Sequence, residues 1–323
     1  MKKMIGLIMI IIFYLVGIPL FIGLLFGGGL EILPGPAKGI DVPDTVDVWL
    51  SDEKKVVEVD FEDYVTRVTA SEMPADFDEE ALKAQSVAAR TYVMAKIIKY
   101  EDKKPESHPK APVCDSTHCQ VYKTEKQLIE SHSEGWEKSF EKLKKACKAT
   151  EGQMLYFDGE LVMQPLFFSS SGGQTENSED VFSGAYPYLV SVSSPYEEGA
   201  SHSNEKKEFS INEIKKALKK TYSDREPGTI SINNIKIVSR TAGGRVESMQ
   251  IGEARYKGTE VRNALGLSST LFNISFKDEQ VVFTSNGYGH GVGLSQYGAN
   301  GMAKEGYKYK EILMHYYTGT QVY

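Results

Sequence analysis

Residues 4–30 hold no charged side chain, and Ile, Leu, Phe, Met and Val dominate as far as Phe26. At 1.5 Å of rise per residue this run is long enough to cross a bilayer core of about 30 Å as a helix, which satisfies its own backbone hydrogen bonds. Lys2 and Lys3 precede the run and Glu31 comes just after it. The positive-inside bias therefore keeps the N-terminus cytoplasmic and sends the rest outside. A cleaved signal peptide is the rival reading; its apolar region normally spans only about 7–15 residues, and the Gly27-Gly28-Gly29 run is the one hint of a cleavage site. Either reading exports the remainder of the chain.

The expected organisation is a cytoplasmic tip at residues 1–3, a transmembrane helix at 4–26, a linker at 27–45 and a folded extracytoplasmic domain at 46–323. Gly27-Gly28-Gly29, Pro34-Gly35-Pro36, Gly39 and Pro43 mark the linker, which has no hydrophobic period. With 41% apolar and 25% charged residues, the chain has the composition of an ordinary globular protein. Its 37 basic residues against 44 acidic ones leave a net charge of −7. No basic stripe is visible, which disfavours a nucleic-acid partner.

Residues 46–50 and 56–60 flank a polar turn and predict a hairpin. A short helix is expected over 61–70, interrupted at Met73 because a residue before proline avoids helical geometry. A second helix starts at Asp78 as N-cap, with Glu79 and Glu80 in its first turn, and runs to about Lys99. Residues 101–133 read as a long loop that something must staple. Asp158-Gly159 predicts a hairpin between 154–157 and 160–168. Ser210-Ile211-Asn212-Glu213 is a capping box, with Phe209 and Ile214 placed as a hydrophobic staple. Further strands are expected at 235–239, 245–251, 271–276 and 281–284. Strands and helices do not alternate regularly, so the fold class is α+β, mixed helices and antiparallel strands.

Three stretches carry chemistry. One is Ser71-Glu72-Met73-Pro74-Ala75-Asp76-Phe77, together with the run from Leu82 through Lys83 and Arg90 to Tyr92. The second runs from Ser169-Ser170-Ser171-Gly172-Gly173 to Val181, and the third is Gly287-Tyr288-Gly289-His290-Gly291-Val292-Gly293 to Ala299. Together they closely resemble the family of stage II sporulation protein D. The resemblance implies a lytic transglycosylase that cleaves peptidoglycan glycan strands between N-acetylmuramic acid and N-acetylglucosamine during sporulation engulfment, with Glu72 as its catalytic residue. It also implies a place in the space between mother cell and forespore. The implied partners are the sporulation amidase protein P and the membrane protein M of the same stage. Such an enzyme needs one carboxyl group, as acid and then base, rather than the pair used by most glycoside hydrolases.

The residues themselves fit that reading. Glu72 adjoins Met73, Pro74 and Phe77, apolar neighbours that favour its protonated form. Lys83 and Arg90 lie seven apart on one helix face, and Arg90, assisted by Lys83, is expected to grip the lactyl carboxylate of a strand stripped of its stem peptides. Lys83 paired with Glu79 in a surface ladder is the plainer alternative. Ser170 is expected in a sugar-binding loop, and Tyr288 and His290 at the cleft. His108, Cys114, His118 and Cys119 offer two sulfurs and two imidazoles, the set tetrahedral zinc prefers. A Cys114–Cys119 disulfide is the competing reading in an exported domain. Two other functions stay open: a zinc-dependent wall hydrolase, and a scaffold that binds wall without cutting it.

Overall fold

A computed structural model describes residues 39–131 and 135–323. The expected membrane helix and most of the linker lie outside these residues. Among the described residues no helix is long and apolar enough to cross a membrane.

Strands β1 (Thr45–Leu50) and β2 (Lys55–Asp60) form the expected antiparallel hairpin, in register from Thr45↔Asp60 to Leu50↔Lys55. Asp60 caps helix α1 (Phe61–Glu72) by accepting the Asp63 N–H at 2.9 Å. At Met73 the backbone turns extended, φ −127° and ψ 135°, as Pro74 requires. Glu72 is therefore the last helical residue, where a side chain can leave the helix barrel. Asp78 caps helix α2 (Glu79–Asp102) through the Glu80 N–H. From Ala81 to Ala95 every α2 residue except Lys83 is buried, because its alanines let helices approach on all sides.

The expected long loop contains β3 (Val113–Cys114), which pairs parallel with β1, and α3 (Glu125–Ser131). Helix α4 (Trp136–Lys148) comes next and packs on α2. The Asp158-Gly159 hairpin joins β4 (Leu155–Phe157) to β5 (Glu160–Leu161). The single strand expected over 160–168 is broken, and Phe167–Phe168 form a separate strand β6. Pro165 stands between them and has no N–H for a ladder. A single turn, α5 (Ser178–Val181), lies beyond β6.

Farther along, β7 (Glu205–Ser210) leads into α6 (Ile211–Thr221), whose capping box Ser210/Glu213 is formed as expected. Strands β8 (Ile235–Arg240), β9 (Val246–Ile251) and β10 (Ala254–Lys257) make an antiparallel sheet, and α7 (Gly258–Leu265) continues from its last strand. Strands β11 (Phe272–Lys277) and β12 (Gln280–Ser285) form a hairpin whose second strand also pairs with β7. Short β13 (Leu294–Ser295) runs parallel to β6 and feeds α8 (Gln296–Lys304), α9 (Tyr309–Tyr316) and β14 (Thr320–Val322), which closes on β4. The class is α+β with mainly antiparallel sheets.

Three apolar clusters hold these elements. One lies between the first hairpin and α1, with Val48, Phe61, Tyr64 and Val65. The largest surrounds α2 and draws on Leu143, Leu155, Leu189, Leu294 and Tyr317. The third, with Ile214, Met249, Val261 and Phe283, belongs to residues 209–283.

Candidate active site

Glu72 projects from the end of α1 into a cleft of about 720 Å³. Its Oε1 accepts the backbone N–H of Val121 at 2.6 Å. Burial lifts its pKa above the ordinary carboxylate value, and the Val121 hydrogen bond opposes that rise. The side chain is thus biased toward its protonated form yet carries one preformed donor for its anion. Glu72 is the single carboxylate among the described residues that line the cleft.

The facing wall comes from the glycine-rich loop. Gly287, Gly289, Gly291 and Gly293 all have positive φ. At Gly287 a Cβ would stand 2.5 Å from the Ser170 carbonyl oxygen, so the close approach of the two loops requires glycine there. Tyr288 is half exposed and stacks on His202, ring centroids 4.5 Å apart. His290 rests between Phe168 and Phe182, and its Nδ1 accepts the Val292 N–H at 3.1 Å. Burial pushes the imidazole pKa down to about 4, with Arg245 adding to the effect. His290 is therefore neutral at physiological pH and places no positive charge at the cleft wall.

Three expected sugar contacts lie elsewhere. Arg90 is fully buried: its Nε and Nη2 each donate to a Glu62 carboxylate oxygen at 2.7 Å, and further donors reach the Gln153 and Cys147 carbonyls. This two-pronged pair locks α2 to α1, so the guanidinium has neither a path to solvent nor a free fork for a substrate carboxylate. Lys83 sits 2.8 Å from Glu79 and 3.0 Å from Glu80, the surface ladder, and does not line the cleft. Ser170 is also fully buried; its backbone pairs with Tyr288, and neighbouring Ser169 lines the cleft instead. The serine loop is organised by Glu197, whose carboxylate accepts from the Ser171 and Gly172 N–H groups and from the Ser194 and Ser295 hydroxyls.

Beside the cleft, one ligand atom each from His108, Cys114, His118 and Cys119 lies within 4.8 Å of all the others, a set able to hold a metal ion. His108 Nε2 is 3.3 Å from His118 Nδ1, and Cys119 Sγ is 3.4 and 3.6 Å from those two nitrogens. Tetrahedral coordination with bonds of about 2.0 Å to nitrogen and 2.3 Å to sulfur places such atoms roughly 3.3–3.8 Å apart, so the set fits. The outer shell fits too: His108 Nδ1 donates to the Ala111 carbonyl at 2.9 Å, which leaves Nε2 facing the other ligands. Both cysteines are free thiols here rather than a disulfide.

Comparison with known proteins bears on this geometry. The family model described as stage II sporulation protein matches residues 51–157, which include Glu72 and all four residues of the His/Cys cluster. Stage II sporulation protein D of Bacillus subtilis is 35% identical over 281 residues, spanning 87% of this chain and 79% of that protein. Its Bacillus amyloliquefaciens counterpart is 34% identical with the same coverage. The chain belongs to the stage II sporulation protein D family. A more distant relative, the amidase enhancer of Bacillus subtilis, is 28% identical over 78% of the chain and 39% of its own length. A domain of unknown function matches residues 196–293, the part of this family member that supplies Arg262, Tyr288 and His290 to the cleft.

Sequence reasoning missed several cleft residues. Tyr297 lies inside the third motif, so its position was available. Phe182 is 41% exposed beside His290, and an unexplained aromatic just past the serine motif was its signal. Val121 acts through its backbone and leaves no side-chain signature.

Proposed function

We propose that the protein is a peptidoglycan lytic transglycosylase, cutting between N-acetylmuramic acid and N-acetylglucosamine and leaving 1,6-anhydro-muramic ends. The observation that carries this reading is the lone carboxylate: one half-buried glutamate, biased toward protonation, in a cleft with no second acid among its described lining residues. A hydrolase of the usual two-carboxylate kind would need a partner about 5–10 Å away.

In the first half of the reaction Glu72 gives its proton to the glycosidic oxygen as the bond to muramic C1 breaks. The leaving N-acetylglucosamine departs as an alcohol. In the second half the Glu72 carboxylate, with Oε1 held by the Val121 N–H, takes the proton from the muramic C6 hydroxyl. That oxygen then bonds to C1, closing the anhydro ring and returning Glu72 to its acid form. The low dielectric of the cleft serves the first half, and the amide donor serves the second.

His108 Nε2, His118 Nδ1 and the two cysteine sulfurs would hold a zinc ion, the metal this donor set suits. Four protein ligands leave no open position for water, so its role is to close the loop that ends in Val121. This disfavours the zinc-hydrolase alternative. By family membership, the proposed location is the cell membrane, with the folded domain on its outer side in the space between mother cell and forespore. The amidase protein P and the membrane protein M are the proposed partners, and a stripped glycan strand is the preferred substrate.

The test is digestion of purified peptidoglycan, intact and amidase-treated, with mass spectrometry of the resulting ends. Anhydro-muramic products that vanish with Glu72→Gln support the reading. Reducing ends, released peptides or no product would each overturn it.

A further inference from the structure

Arg90 is walled off from the cleft, and a second hollow beside it supplies cations. Lys96, Lys99, Lys103 and Lys104, at the C-terminal end of α2, line a depression of about 470 Å³. Glu106 is the single acidic residue in its lining. Lys96 and Lys99 lie three apart on one side of the helix, and Lys103 is its C-cap residue, with extended backbone at φ −146° and ψ 116°.

None of these four ammonium groups is paired within 4.0 Å of a carboxylate among the described residues. In a chain of net charge −7, four lysines without a carboxylate partner around one hollow form a local reversal of sign, with Lys96 and Lys104 lying over the Tyr92 and Tyr100 rings. Lys99 is half buried, donates only to the Met163 carbonyl at 3.4 Å, and has its pKa lowered by burial and by Lys96. The hollow is not remote, because His118 lines both it and the Glu72 cleft.

We propose that this hollow is an anion subsite, binding the carboxylates of the same glycan strand whose scissile bond lies at Glu72. The inference rests on the wall-strand reading above. Its ligand chemistry is a carboxylate spaced along a sugar polymer, either the lactyl group of a stripped strand or the terminal carboxylates of stem peptides.

The test measures binding rather than cleavage, using the full chain in detergent with Glu72→Gln so that strands stay whole. Its probes are stripped strands, peptide-bearing strands and neutral chitin oligosaccharides. Replacing Lys96, Lys103 and Lys104 together by Gln should weaken binding of an anionic strand roughly three- to tenfold at low salt, by analogy with charge-assisted contacts. The effect should shrink toward about 0.5 M salt and be absent on chitin oligosaccharides. Lys99→Gln, made separately, should act in the same direction. Whichever anionic strand shows the larger loss identifies the source of the carboxylate. Equal loss on chitin oligosaccharides, or no loss on either anionic strand with unchanged thermal unfolding, overturns the proposal. So does a loss that appears only on vesicles containing phosphatidylglycerol. Salt-sensitive strand binding by a protein that makes no anhydro ends would instead overturn the enzymatic reading and leave the subsite standing.

Discussion

Glu72 is held by two opposing effects, burial that favours its proton and the Val121 N–H that favours its charge. Glu72→Gln keeps an acceptor for that N–H but has no proton to exchange, so turnover should fall by about 10²–10⁴ while the fold stays intact. Because the folded-state pKa is raised, the carboxyl's stabilising contribution is complete below its unfolded pKa and is lost as pH rises through the folded value. The melting temperature of wild type relative to Glu72→Gln should therefore decline as pH rises past the ordinary carboxylate range; thermal scans at stepped pH check this, and a gap that is constant with pH would refute the buried-acid account. The position of Glu72 at a helix end is legible in the sequence because Pro74 dictates that end, whereas its proposed catalytic role comes from the family resemblance. The burial of Arg90 is not legible, for an equally physical reason. Helical spacing shows which residues share a face, but not whether that face meets solvent or another helix, and here it meets Glu62.

That same pair sets the behaviour of the elements it joins. Glu62→Ala would leave a fully buried guanidinium facing only two carbonyl acceptors, a loss on the order of 3 kcal/mol. Arg90→Lys should recover part of the stability lost in Arg90→Ala, and both should weaken activity on stripped and peptide-bearing strands alike through stability; denaturant midpoints measured beside activity distinguish this from a carboxylate clamp. The loop that carries the His/Cys cluster is a second joint between elements, since Cys114 lies in β3 and Val121 two residues beyond Cys119. Elemental analysis should find one zinc per chain. Chelation should lower the melting temperature, by the equivalent of about 4 kcal/mol if free zinc had stood a thousandfold above its Kd; an unchanged melting temperature would remove the stapling role. The hairpins, caps and long loop are readable because turn and capping chemistry is local. The pairing of β12 with β7, some seventy residues earlier, and of β13 with β6 is not, because nothing in either sequence names its partner.

At the scale of the whole molecule, the cleft is built from segments far apart in sequence: Glu72 and Val121, then Phe167 to Ser169, then Arg262 and Tyr288 to His290, and finally Tyr297. Its shape therefore depends on how the core around α2 is closed, and the last strand closes it. In β14, Val322 pairs with Leu155 and Thr320 with Phe157, and Met154 and Tyr323 exchange hydrogen bonds of 2.7 and 3.1 Å. Val322 and Leu155 lie in the same cluster as Leu82 and Val87 of α2. Removing residues 320–323 strips those ladder bonds, each worth about 1 kcal/mol net, and the burial of Val322, worth about 1.5–3 kcal/mol. The total, on the order of 4 kcal/mol, is a large share of the roughly 5–15 kcal/mol that holds a typical domain. The shortened chain should show a lower denaturant midpoint, and faster amide exchange in residues 155–161. The separate cluster built on Met249, Ile251 and Phe283 should keep its protection under mild conditions. An unchanged midpoint would mean that β14 merely decorates the sheet; equal loss of protection in β9 and β12 would mean that the clusters unfold as one unit.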